Sequence, residues 1–84
     1  MDTEQLLKTI TSVIEDLKGL EVLSINVENK NAFADYMVLC HGTSSAHVKG
    51  ISDKIGLTLK KEHLLPLGVE GYNEGQWVLM DYDA

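Results

Sequence analysis

The stretch YMVLC, Tyr36–Cys40, is the longest uninterrupted apolar run in the chain, and it ends on His41-Gly42. Five apolar residues in a row suit a central strand buried on both faces. A glycine directly behind them marks a turn. Beyond it the periodicity changes. Val48, Ile51, Ile55 and Leu59 fall on one helical stripe, with Lys49, Lys54, Lys60 and Lys61 off it. Ser44 or Ser45 is placed to cap that helix. Gly50 and Gly56 each weaken it by about 1 kcal/mol relative to alanine, which points to close packing at both. A strand–turn–helix unit of this kind needs further elements to bury its apolar faces.

The flanking sequence supplies them. Leu6, Leu7, Ile10, Val13, Ile14 and Leu17 keep one face of residues 3–18 apolar at a period of 3.6. Asp2 or Thr3 caps the start, and Gly19 sits where a C-cap glycine belongs. In EVLSINV, Leu23, Ile25 and Val27 alternate with Ser24 and Asn26, a half-buried strand. The polar stretch ENKNAFAD turns the chain into YMVLC, so the two strands pair as a hairpin. Pro66 ends the second helix and opens the extended piece LPLGVEG. Gly71, Asn73 and Gly75 make a turn, and QWVLMDY is the last strand. One of its faces holds Trp77, Leu79 and Asp81; the other holds Val78, Met80 and Tyr82. The predicted class is α/β: a single domain with a small mixed β-sheet and two main helices, part of the sheet being parallel because the second helix forms a crossover.

Composition narrows the function. The 84 residues carry a net charge of -6, all seven basic residues are lysine, and Pro66–Ala84 holds Glu70, Glu74, Asp81 and Asp83 with no cation. Arginine is the preferred fork for phosphate and guanine, and phosphate-backbone binding needs several cations on one face. No direct DNA binding and no anionic membrane surface are expected; a basic protein suits this end of the chain. The single Cys40 fits a reducing compartment. The N-terminus has no signal-peptide pattern and no run reaches a membrane span, so a cytoplasmic location is expected.

Chemistry is sparse. HGTSSAHVKG has the residue types of a phosphate loop, but Gly42 and Gly50 have the wrong spacing and no Gly-Lys pair exists. Gly42, Thr43, Ser44 and Ser45 at a helix N-terminus offer a weak anion-binding site; capping alone also explains them. A nucleotidyltransferase layout would need two magnesium-binding carboxylates on the next strand. Asp53 stands alone inside a helix at that distance, and the pair Asp81 and Asp83 lies far downstream. His41, His47 and His63 lack zinc spacing and read as surface or helix-end residues. Cys40 reads as a core thiol rather than a nucleophile. No metal, cofactor or catalytic set is expected. Trp77 is either core or a protein-binding anchor.

Two stretches carry a resemblance. ADYMVLCHGTSSAHVKGI and PLGVEGYNEGQWVLMDY resemble, in order, the two signatures of the ribosomal silencing factor (Iojap) family, and the resemblance covers nearly the whole chain. It implies a fold like that of nucleotidyltransferases without their catalytic carboxylates. It also implies a non-enzymatic translational repressor that binds the large ribosomal subunit at its fourteenth protein and blocks joining of the small subunit. By position, the partner-binding residues it implies are Glu70, Gly71, Trp77, Leu79, Asp81 and Tyr82. Family chains commonly continue after Asp-Tyr with a glycine and a Val- and His-rich strand; here Asp83 stands at that glycine and Ala84 follows. A C-terminally shortened domain with an unpaired edge along QWVLMDY is therefore expected, and with it a symmetric homodimer.

Overall fold

A computed structural model describes residues 1–28 and 34–82. The order of elements is α1 (Thr3–Asp16), β1 (Leu20–Glu28), β2 (Ala34–His41), α2 (Ser45–Lys61), β3 (Gly68–Glu70) and β4 (Leu79–Asp81). Most of the expected ENKNAFAD turn, and Asp83, lie outside the described residues.

Local chemistry sets both helices. Asp2 caps α1 in a capping box: its side chain accepts from the Gln5 amide, and the Gln5 side chain accepts from the Asp2 amide. Ser44, not Ser45, caps α2, accepting from the His47 amide at 3.1 Å. The two helices end alike. At α1 the Gly19 amide donates to the Ile14 carbonyl and Lys18 to Glu15; at α2 Leu64 donates to Leu59 and His63 to Lys60. This pair of hydrogen bonds is the Schellman closure. Its left-handed position is taken by Lys18 (φ 61°) and His63 (φ 61°) rather than by glycine. Gly19 falls one residue after the site expected for it, where its missing side chain leaves room for Ile14.

The core is small and lies between the helices and the strands. Leu6, Val13 and Ile14 of α1 meet Ile51, Ile55 and Leu59 of α2, with Leu59 fully enclosed. Val22, Val38, Cys40, Leu64, Met80 and Tyr82 pack around them. A side chain at Gly56 would meet Met80 at 3.7 Å, whereas nothing lies within 4 Å of Gly50. The distance at Gly56 is an ordinary van der Waals contact, so neither position shows the close packing expected of it.

The strands form two antiparallel pairs, β1 with β2 and β3 with β4. The α/β class with two main helices is as expected. The parallel pairing is not formed among the described residues: the crossover through α2 leads to β3, which hydrogen-bonds to β4 and not to β2. β1 and β2 run in register from Leu23↔Leu39 to Glu28↔Ala34, with a bulge between Leu20 and Leu23. Glu21 sits in that bulge at φ 51°, the conformation that bulges impose. Burial of β2 on both faces is corrected. Val38 and Cys40 face the core, but Met37 and Leu39 are 48% and 45% exposed. An antiparallel pair tolerates one open face, and no described element covers this one. Among the described residues no helix is long and apolar enough to cross a membrane.

Candidate functional site

The β3–β4 hairpin shows why the last strand has two unlike faces. Its register places Glu70 opposite Leu79, Val69 opposite Met80 and Gly68 opposite Asp81. Directly opposed residues share a face. Met80 and Tyr82 turn toward the core, while Leu79, Asp81 and Glu70 stand on the open side. Trp77, ahead of the hydrogen-bonded strand, is 56% exposed. The expected alternation is present from Leu79 to Tyr82, where Leu79 and Asp81 are exposed and Met80 and Tyr82 are not; of QWVLMDY only Leu79–Asp81 is hydrogen-bonded as a strand.

The turn between the strands is shaped around Trp77. Gly71 has φ 81°, and a Cβ there would lie 2.6 Å and 2.7 Å from two carbons of the Trp77 ring. Only glycine satisfies both the backbone angle and the contact. Gly75 has φ 71° and donates to the Gly71 carbonyl at 3.2 Å, closing the turn. Val69, Gly71, Tyr72, Asn73, Glu74 and Trp77 line an open depression of about 560 Å³. It combines indole, phenol and carboxylate groups, the types that receive a cationic side chain on an aromatic surface.

Of the six family-implied residues, Gly71 and Trp77 line this depression, and Glu70, Leu79 and Asp81 are exposed on the β3–β4 hairpin beside it. Tyr82 does not share it. It packs against the core, and its hydroxyl is enclosed with no hydrogen-bond partner. Desolvation by burial holds the Tyr82 phenol above its usual range.

The Gly42–Ser45 turn is occupied by its own side chains. The Thr43 amide donates to Nδ1 of His47 at 2.9 Å, and the His47 amide donates to the Ser44 hydroxyl. Nε2 of His47 donates to the Leu17 carbonyl at 2.6 Å, at the end of α1. A side chain at Gly42 would press on Val48 at 2.8 Å. The amides of Thr43 and His47 are thus engaged internally, which favours the capping reading over the anion reading. His47 departs from the surface or helix-end role expected of it: it ties two helices together. His63 ends α2, as expected, and His41 lies 3.5 Å from Glu21. Among the described residues no three His, Cys, Asp or Glu side chains gather to hold a metal. Burial pushes the Cys40 thiol up, which disfavours the thiolate a nucleophile needs.

The contacts under the turn had no counterpart in the sequence reading. The Tyr72 hydroxyl donates to Oδ2 of Asp53 at 3.0 Å, and Nζ of Lys49 lies 5.6 Å from the Tyr72 ring centroid. Gly75 sits against Ser45 and Lys49. Ser45, Lys49 and Asp53 follow at spacings of four, one row on α2 beside the core stripe. That spacing is the signal that was available.

Residues 1–84 match the family described as "Ribosomal silencing factor during starvation". A protein of Zymomonas mobilis named ribosomal silencing factor RsfS is 35% identical over 80 residues, which span 95% of this chain and 60% of that one. Its namesake from Halalkalibacterium halodurans is 27% identical over 81 residues, 96% of this chain and 69% of that one. A crystal structure of a Chromobacterium violaceum protein superposes with a TM-score of 0.87 at 26% identity, covering 96% of this chain and 68% of that one. The chain therefore spans roughly two thirds of the length of these relatives.

Proposed function

Because the chain belongs to the ribosomal silencing factor family, we propose that it represses translation by docking on the large ribosomal subunit. In this reading it binds the subunit's fourteenth protein, on the face that meets the small subunit, and keeps the two subunits apart by bulk alone. No bond is made or broken. The observation that carries the reading is the exposed Trp77 on its glycine-shaped turn, at the end of a hairpin that exposes Leu79 with Glu70 and Asp81. An exposed tryptophan held on a shaped turn is a typical anchor. The carboxylates around it favour a basic partner and steer the encounter. The site of action is then the compartment that holds the ribosomes, the cytoplasm.

The alternative reading, a nucleotide-binding domain using Gly42, Thr43, Ser44 and Ser45, has less support. The Thr43 and His47 amides are engaged, and no carboxylate pair stands beside the turn in sequence. Magnesium nucleotide at millimolar concentration is expected to leave the melting temperature unchanged; a rise of several degrees would favour this reading instead.

A homodimer is part of the same proposal. Leu23 faces Leu39 and Ile25 faces Met37 across the β1–β2 hairpin, all four exposed. This apolar face belongs to β1–β2 and is offered, in place of the QWVLMDY edge expected from the sequence, as the surface where two copies meet. The test of the silencing step is a joining assay with purified subunits. Adding the protein before mixing lowers the fraction of joined particles in proportion to occupancy. A joined fraction unaffected at saturating protein would refute it.

A further inference from the structure

We infer that Tyr72, Asp53 and Lys49 form a clasp that holds the Gly71–Trp77 turn against α2 and so fixes Trp77 in its docking position. The inference rests on the docking reading above for its purpose, but not for its geometry. Tyr72 lies one residue after Gly71 and five before Trp77. Its hydroxyl reaches Oδ2 of Asp53 at 3.0 Å, and the Lys49 ammonium stands 5.6 Å from its ring. Farther along the turn, Gly75 rests on the stem of Lys49 and on Ser45, with a left-handed φ of 71°. The turn is therefore attached at two points to one row of a helix whose neighbouring stripe is locked in the core.

The need for such attachment follows from the turn itself. β3 and β4 are three residues each, and an isolated two-stranded hairpin is marginal in water. Two glycines widen the conformations open to the unattached turn. An exposed anchor that wandered with it would lose affinity to ordering on binding. Fastening the turn to α2 removes that loss beforehand. The hydrogen bond to Asp53, followed by desolvation and the carboxylate charge, keeps the phenol proton on Tyr72 above its usual range, in keeping with a donated bond to a carboxylate.

Tyr72, Asp53 and Lys49 are positioning residues, and Tyr72→Phe removes one hydroxyl and nothing else. In the otherwise intact chain it is expected to speed exchange of the Gly75 amide, which closes the turn onto Gly71, by threefold or more. The Trp77 indole resonance moves with it, while exchange of the Leu59 amide in the core stays the same. Asp53→Ala gives the same change, and the double variant adds nothing, because both remove one bond. Asp53→Asn keeps an acceptor oxygen and restores most of the protection. Affinity for large subunits falls severalfold in Tyr72→Phe. If Trp77→Ala leaves that affinity unchanged, the docking reading fails, and the amide and indole signals still judge the clasp. Unchanged Gly75 exchange and an unmoved Trp77 signal in both Tyr72→Phe and Asp53→Ala would overturn it, as would loss of Leu59 protection to the same degree.

Discussion

The ring of Trp77 closes over Gly71, so tightly that a methyl group on Gly71 would sit 2.6 Å from one ring carbon. The exposed anchor and the turn that presents it are one packed unit. Replacing Gly71 by alanine imposes a left-handed alanine and a clash together, at a cost of about 1–3 kcal/mol. Thermal unfolding reads that loss, and the Trp77 indole resonance shifts with the displaced ring. Gly68→Ala is the control, since nothing lies within 4 Å of Gly68. It is expected to leave the Trp77 indole in place.

Gly50→Ala changes stability in the opposite direction. Position 50 is exposed in the middle of α2 with open space around it. Alanine gains about 1 kcal/mol of helix propensity there, which raises the melting temperature by roughly 4–8 °C in a domain of this size. An unchanged or lower midpoint would mean that the exposed side of α2 is occupied.

His47 joins the end of α1 to the turn before α2. His47→Ala leaves the Thr43 amide and the Leu17 carbonyl without their partner, at a cost of about 1–2 kcal/mol. Denaturant unfolding measures it. The same variant frees the Thr43 amide, so weak phosphate binding that appears only in His47→Ala would locate the anion site behind the histidine.

Alkaline pH weakens the fold. Desolvation raises the ionisation of Cys40 and of Tyr82 above their usual values of 9.0 and 10.0. The unfolded chain therefore releases these protons first as pH rises. Their contribution to stability is complete below about pH 9 and is lost progressively above it. Urea midpoints measured between pH 7 and 11 are expected to be flat at first and then to fall. Cys40→Ala shortens the fall, leaving the Tyr82 part.

Much of this was legible in the sequence, for physical reasons. Both helices follow from a 3.6-residue stripe with a capping residue in front, and Leu79 and Asp81 share a face because strand side chains alternate. What was not legible depends on pairing at a distance. The run YMVLC is apolar throughout, yet Met37 and Leu39 are exposed because β2 is covered on one side only. Parallel pairing was expected from the crossover, and β3 hydrogen-bonds to β4 instead. Tyr82 matched a family position but lies on the core side with Met80, by simple alternation from Leu79 and Asp81. Tyr72 with Asp53, and His47 with Leu17, are contacts between residues 19 and 30 apart, which no local pattern announces.

The central claim is that the Trp77 face docks on the large ribosomal subunit. Its most direct measurement is the affinity of the full chain for purified large subunits, at fixed salt, compared with that of Trp77→Ala. The expected result is binding by the unaltered chain and a loss of about 2 kcal/mol or more, some thirtyfold, in the variant, with the melting temperature of the domain little changed. Equal affinity of the two proteins would contradict it.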